Sequence, residues 1–105
     1  MQDVTAEGTA MSWMAADGYP EGTQWKVLRH DAAGNARSFL LKLPAGFKME
    51  RHSHVFREHH YILDGEYSSS SKSFRSGTYR MIPTHAEHGP FHSESGATLL
   101  VIWEI

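Results

Sequence analysis

Apolar residues recur along the chain in short bursts, each closed off by a glycine or a proline. Glycines at 8, 18, 22, 34, 46, 65, 77, 89 and 96 and prolines at 20, 44, 83 and 90 cut it into pieces too short for a series of helices. The pieces between them predict strands over residues 24–30, 36–43, 58–64, 78–83 and 97–105, rich in the Val, Ile, Phe, Tyr and Trp that pleated surfaces favour. The last of these alternates strictly, with Leu99, Val101, Trp103 and Ile105 on one face and Thr98, Leu100, Ile102 and Glu104 on the other. At least one of those faces is core. Asp31 to Asn35 (DAAGN) and Asp64-Gly65 read as hairpin turns, because Gly and Asn accept positive φ at little cost. A helix can be drawn over residues 47–64, which contain neither Gly nor Pro. Its apolar positions 47, 49, 55, 56, 62 and 63 make no continuous stripe at i, i+3, i+4 spacing, so the strand reading stands. Short, evenly spaced strands predict an all-β domain, a sandwich or a barrel.

Length limits this to one core: 105 residues are a single domain's worth. Residues 24–105 read as the barrel and residues 1–23 as an N-terminal arm, packed on the barrel or on a partner. A free arm would leave Trp13, Met14 and Tyr19 in water. So small a domain gains from burial between copies, and a homodimer is expected. No apolar run approaches the roughly 20 residues of a bilayer span, the longest being Leu99 to Trp103, which excludes a membrane role. A formal charge of -2 without a basic stripe gives no electrostatic support to nucleic-acid binding. Residues 1–12 lack a basic start followed by an apolar stretch, so no secretory signal is read and the cytoplasm is the expected compartment.

The chemistry is concentrated in histidine. There are eight, seven of them between His52 and His92, and no cysteine, so any metal site must use His, Asp or Glu. On an extended chain the one-residue separation of His52 and His54 puts both imidazoles on one face, whereas a helix would aim them about 200° apart. Glu58 follows at the same parity, and His88 reaches the same centre from an adjacent antiparallel strand. Three imidazoles and a carboxylate suit one divalent transition metal per chain, whether iron, zinc, manganese, nickel or copper, and disfavour calcium and magnesium, which prefer all-oxygen shells. His60 shares Glu58's inward face and is the candidate catalytic or ligand-contacting group, while His59 and Tyr61 point outward. Phe56, Tyr79, Met81, Phe91 and Trp103 are candidate pocket walls.

Two segments carry a resemblance. GFKMERHSHVFREHHYILDG (46–65) places Gly46, His52, His54, Glu58 and Gly65 with gaps of five, one, three and six residues, which resembles the first cupin motif. GTYRMIPTHAEHGPFH (77–92) places Gly77, Pro83 and His88 with gaps of five and four, which resembles the second. It departs at His85, where the family usually has Gly, and at His92, where it often has Asn. The resemblance implies a jelly-roll β-barrel. The flanking KVLRHDAAGNARSFLLKLPAGFKMERHSH and GPFHSESGATLLVIWE are similar to ChrR-like cupins, a branch holding the metal-binding domain of zinc anti-sigma factors and acetylacetone-cleaving dioxygenases. Some 23 residues precede the first strand, too few for the anti-sigma helical region, so direct sigma-factor inhibition is not expected. The resemblance implies a small-molecule substrate or ligand. Three readings follow: an iron(II)-type dioxygenase cleaving a small diketone or hydroxyketone with His60 as base or hydrogen-bond donor, a non-catalytic sensing module, and a non-oxidative isomerase or lyase.

Overall fold

A computed structural model describes residues 3–104; the arm's first two residues and Ile105, expected at the end of the last strand, lie outside them. Among the described residues the chain forms a short 3-10 turn at Gly8–Ala10 and nine strands: β1 (Met14–Ala15), β2 (Gln24–His30), β3 (Ala36–Leu43), β4 (Phe47–Met49), β5 (Arg57–Ser69), β6 (Lys72–Arg75), β7 (Tyr79–Ile82), β8 (Phe91–Ser93) and β9 (Ala97–Glu104). They curl into an all-β half-barrel with the order β1-β2-β3-β9-β5-β8-β4, and β6 and β7 also pair with β5. No helix forms over 47–64, where β4, an irregular stretch and the start of β5 follow one another. Among the described residues no helix is long and apolar enough to cross a membrane.

The inward faces of β3, β5 and β9 make the core. Phe39 lies opposite Val101, Leu41 opposite Leu99, and Ile62 opposite Leu99 from the other side, all at most 3% exposed. Trp25 and Trp103 present edges to Phe39 at centroid distances of 5.2 and 4.9 Å, an arrangement aromatic quadrupoles favour. The turn at Asp31–Asn35 forms as the sequence predicts, with the Asp31 carboxylate accepting the Ala33 and Asn35 amides. From the arm, β1 pairs with β2, Ala16 is buried, and the ammonium groups of Lys26 and Lys42 stand over the Trp13 ring at 4.7 and 5.4 Å from its centroid. Met14 stays 62% exposed.

Asp64-Gly65 is not a hairpin turn. β5 runs straight through it, slipping register against β9 between Ile62 and Asp64, with Gly65 at φ +77°. A Cβ at residue 65 would stand 2.2 Å from the Gly96 carbonyl oxygen, so only glycine lets the two backbones meet there. The bulge flips the parity of the strand. Glu58, His60 and Ile62 are buried before it, and Tyr67 and Ser69 after it. Beyond it β5 leaves β7 and β9 for β6 and β8, carrying the chain from one wall of the barrel to the other.

Candidate metal centre

His52 and His54 sit on the irregular stretch between β4 and β5, not on a regular strand, and backbone bonds clamp that stretch to the loop before β8. His52 and His88 exchange both amide-to-carbonyl bonds, at 2.9 and 2.8 Å, and the His85 amide donates to the His54 carbonyl at 2.7 Å. Three imidazoles are thereby brought together. His52, His54 and His88 each offer a nitrogen within 4.8 Å of the others, a set that could hold a metal ion. Glu58, at the start of β5, adds a carboxylate: its Oε2 is 3.5 Å from His54 Nε2 and 3.6 Å from His88 Nε2. His52 donates from Nδ1 to the Glu50 carbonyl at 2.9 Å, which leaves the lone pair on its Nε2.

The donor set passes a physical test for a cation. Glu58 Oε2 and both ring nitrogens of His88 are buried with no hydrogen-bond partner, a costly set of orphaned polar atoms that a cation held by Glu58 and His88 Nε2 relieves. Two ligand atoms about 2.1 Å from a shared tetrahedral ion stand about 3.4 Å apart, close to the spacings across Glu58 Oε2.

The other carboxylate oxygen is tied down. Glu58 Oε1 accepts from Trp103 Nε1, its cross-strand neighbour on β9, at 3.2 Å, and from His60 Nε2 at 3.0 Å. His60 Nδ1 lies 2.7 Å from the Tyr67 hydroxyl, which Arg80 Nη1 approaches at 3.1 Å. Arginine can only donate and an ionised carboxylate can only accept, so with a neutral imidazole at His60 the relay runs one way: Arg80 to Tyr67 to His60 to Glu58. Burial pushes the Glu58 carboxyl up, but the His60 hydrogen bond and charge, then Trp103 and His54, outweigh it and hold it at about 2. Burial lowers His88 to about 4 against the pull of Glu58, and burial likewise lowers His54. At neutral pH these two imidazoles are unprotonated, the state in which they ligate metals.

A cavity of about 30 Å³ opens beside these groups, walled chiefly by apolar side chains of β3, β4, β8 and β9 and without a Lys or Arg. Of the residues the sequence proposes as pocket walls, Phe91 lines this cavity. Phe56 and Trp103 instead line a larger hollow at the barrel's end, and both pack near His54. Tyr79 and Met81 are not pocket walls: they stand on the outer face, 58% and 46% exposed, because their parity on β7 points them away from β5's inward residues. His59 is on that face too, bonded to Tyr79 and Glu104. His85 and His92 are exposed and outside the cluster. His85 has φ +63°, the left-handed region a glycine takes without strain. Tyr19 and Tyr67, which sequence reasoning did not assign to the site, both line the cavity.

A family model described as the ChrR Cupin-like domain matches residues 1–103. No curated protein matches the sequence. Among solved structures, an RmlC-like cupin from Shewanella frigidimarina superposes with a TM-score of 0.77 at 18% identity, covering 97% of this chain and 90% of that one. An oxalate decarboxylase, so predicted, from Thermotoga maritima gives 0.73 at 17%, covering 99% of each chain. The structure of Rhodobacter sphaeroides SigE in complex with the anti-sigma ChrR gives 0.67 at 21%, covering 89% of this chain and 49% of that one. At such identities the likeness is one of fold.

Proposed function

Because the chain belongs to the ChrR Cupin-like domain family, we propose that it is a metal-dependent cupin in which His52, His54, Glu58 and His88 hold one divalent transition metal beside a cavity for a small oxygen-bearing molecule. The observation that carries this is the facing pair of buried, unpartnered polar atoms, Glu58 Oε2 and His88 Nε2, 3.6 Å apart. A bound divalent ion supplies Lewis acidity to a ligating oxygen and, where it is iron, redox chemistry. The protein's own part is positional and electrostatic. His60 and Trp103 fix Glu58 through Oε1, so Oε2 is left facing the histidines. His60, on the cavity wall, bonds Glu58 through Nε2 and the Tyr67 hydroxyl through Nδ1, and the hydroxyl can either donate or accept there, which supports the proton-handling role we give His60.

The reaction we assign is oxidative cleavage of a small diketone or hydroxyketone. The apolar wall without Lys or Arg suits a weakly polar molecule over a sugar phosphate. At about 30 Å³ the cavity has room for little more than a water- or dioxygen-sized molecule, so a diketone enters only if apolar side chains of the wall move aside. Protein loaded anaerobically with iron(II) is expected to consume dioxygen on addition of members of a diketone and hydroxyketone panel, read with an oxygen electrode. No uptake above free iron(II), together with tightly held native zinc, would overturn the oxidative assignment in favour of sensing.

A further inference from the structure

We infer that Tyr19 is a ligand-binding residue of the inner cavity, its phenol O–H donating a hydrogen bond to an oxygen of the small molecule held there. The inference rests on the metal-centre reading above. Tyr19 comes from the arm, yet it lines the same cavity as His52, Glu58, His60 and His88. Of the other polar groups of the wall, His60 and Tyr67 are bonded to each other and to Glu58 and Arg80, His52 is bonded to the Glu50 carbonyl, and Glu58 Oε2 and the His88 nitrogens, which lack partners, belong to the metal centre. Among the described residues the Tyr19 hydroxyl has no hydrogen-bond partner, so it is the uncommitted O–H donor of the cavity.

Its position is fixed from both ends. The Ala16 amide donates to the Thr23 carbonyl at 3.0 Å, closing the loop, and inside it Thr23 bonds back to Pro20 at 3.1 Å. Gly18 at φ +81° and Gly22 at φ +91° allow the tight return. The ring meets Phe39 edge-on at 6.5 Å and packs against the core. Burial, and secondarily the Glu58 charge, raise its pKa well above 10, so the phenol remains a neutral donor. Tyr19 is half-buried and its hydroxyl stays accessible to water, so a ligand oxygen there takes the place of a water molecule. With about 30 Å³ available, the oxygen belongs to a molecule the size of formate, dioxygen or water.

The test uses the whole chain loaded with cobalt(II), whose visible bands report ligand exchange, and formate as the probe. Wild type and Tyr19→Phe are expected to bind one cobalt per chain and to melt within about 2 °C of each other. The formate Kd is expected to rise about tenfold in Tyr19→Phe, as loss of one hydrogen bond to a charged acceptor implies. A purely structural Tyr19 would lower the melting temperature and cobalt content instead. Equal formate affinities, or no formate binding by cobalt-loaded wild type, overturn the Tyr19 assignment while leaving the metal centre standing. Failure of wild type to take up cobalt overturns the metal centre and this assignment with it. Should Tyr19→Phe not fold, zinc-loaded wild type carrying 3-fluorotyrosine gives the answer by fluorine NMR. The Tyr19 resonance, the one surviving in each of Tyr61→Phe, Tyr67→Phe and Tyr79→Phe, must shift on adding formate; an unmoved resonance overturns the proposal.

Discussion

Tyr67→Phe deletes one oxygen from the middle of the relay that orients Glu58, and the cost can be worked from its neighbours. The ring is 1% exposed and packs against Phe74 and Phe91 at centroid distances of 5.7 Å, contacts that phenylalanine keeps. What is lost is the hydroxyl that donates to His60 Nδ1 at 2.7 Å and accepts from Arg80 Nη1 at 3.1 Å. Arg80 is only partly buried and regains a partner in water. His60 is 6% exposed and does not, so its Nδ1 is left an orphaned acceptor. Rotating to the other tautomer gives no escape, because Nε2 would then face Glu58 Oε1 as acceptor against acceptor. An unsatisfied buried polar atom costs about 1 to 3 kcal/mol, and about 2 kcal/mol is expected here. For a domain of this size that is a fall of about 10 °C in Tm, or about 1.5 M in urea midpoint. The assay is thermal and urea unfolding in excess chelator, so that bound metal adds nothing to stability. Tyr61→Phe, on the exposed outer face, serves as the control and should change stability by less than about 0.5 kcal/mol. A Tyr67→Phe protein that melts within about 2 °C of wild type would refute the relay.

His54→Ala and His88→Ala should each abolish stoichiometric metal by elemental analysis, whereas His59→Ala, whose ring is bonded to Tyr79 and Glu104 on the outer face, should keep it; full retention in both of the first two variants would show that the ligand set is wrong. Metal-free protein should lose stability steadily as pH falls. His88 is about 4 when folded against 6.5 when unfolded, so between those values the unfolded chain binds the extra proton and stability drops. Glu58 continues the same trend from 4.5 down to about 2. Urea midpoints at a series of pH values check this, and a midpoint that is flat or rises on acidification from pH 7 to 4 contradicts it.

How much of this was legible beforehand depended on whether a residue's position follows from local periodicity. β2 and β3 have the bounds that apolar bursts and flanking turns predict, and of the two faces that alternation gives β9 the one carrying Leu99 and Val101 is inward. The four residues around the candidate centre, Glu58 and three histidines, could be grouped because their spacing is tied to one chain segment and one return strand. The short strands β1, β4, β6 and β8 carry two to four residues each and no periodicity long enough to register. They exist because neighbouring backbones offer hydrogen bonds, not because of their own composition.

Tyr67 shows the deeper limit. It lies seven residues after His60, an odd interval that on a regular strand puts the two side chains on opposite faces. Instead they are hydrogen-bonded, because the register slip between Ile62 and Asp64 inserts one extra residue and reverses the parity. The signal was present in Asp64-Gly65, but a glycine in that setting serves a turn and a bulge equally well. What decides between them is the Gly96 carbonyl, 2.2 Å from where a Cβ at residue 65 would stand, and that contact joins positions 31 residues apart. The same applies to Tyr19, whose place in the cavity wall is set by a loop that closes on Thr23 and a ring that closes on Phe39. The residues proposed to ligate stand at spacings a sequence displays; those that orient Glu58 or line the cavity from afar are placed by contacts between distant segments, which no local pattern encodes.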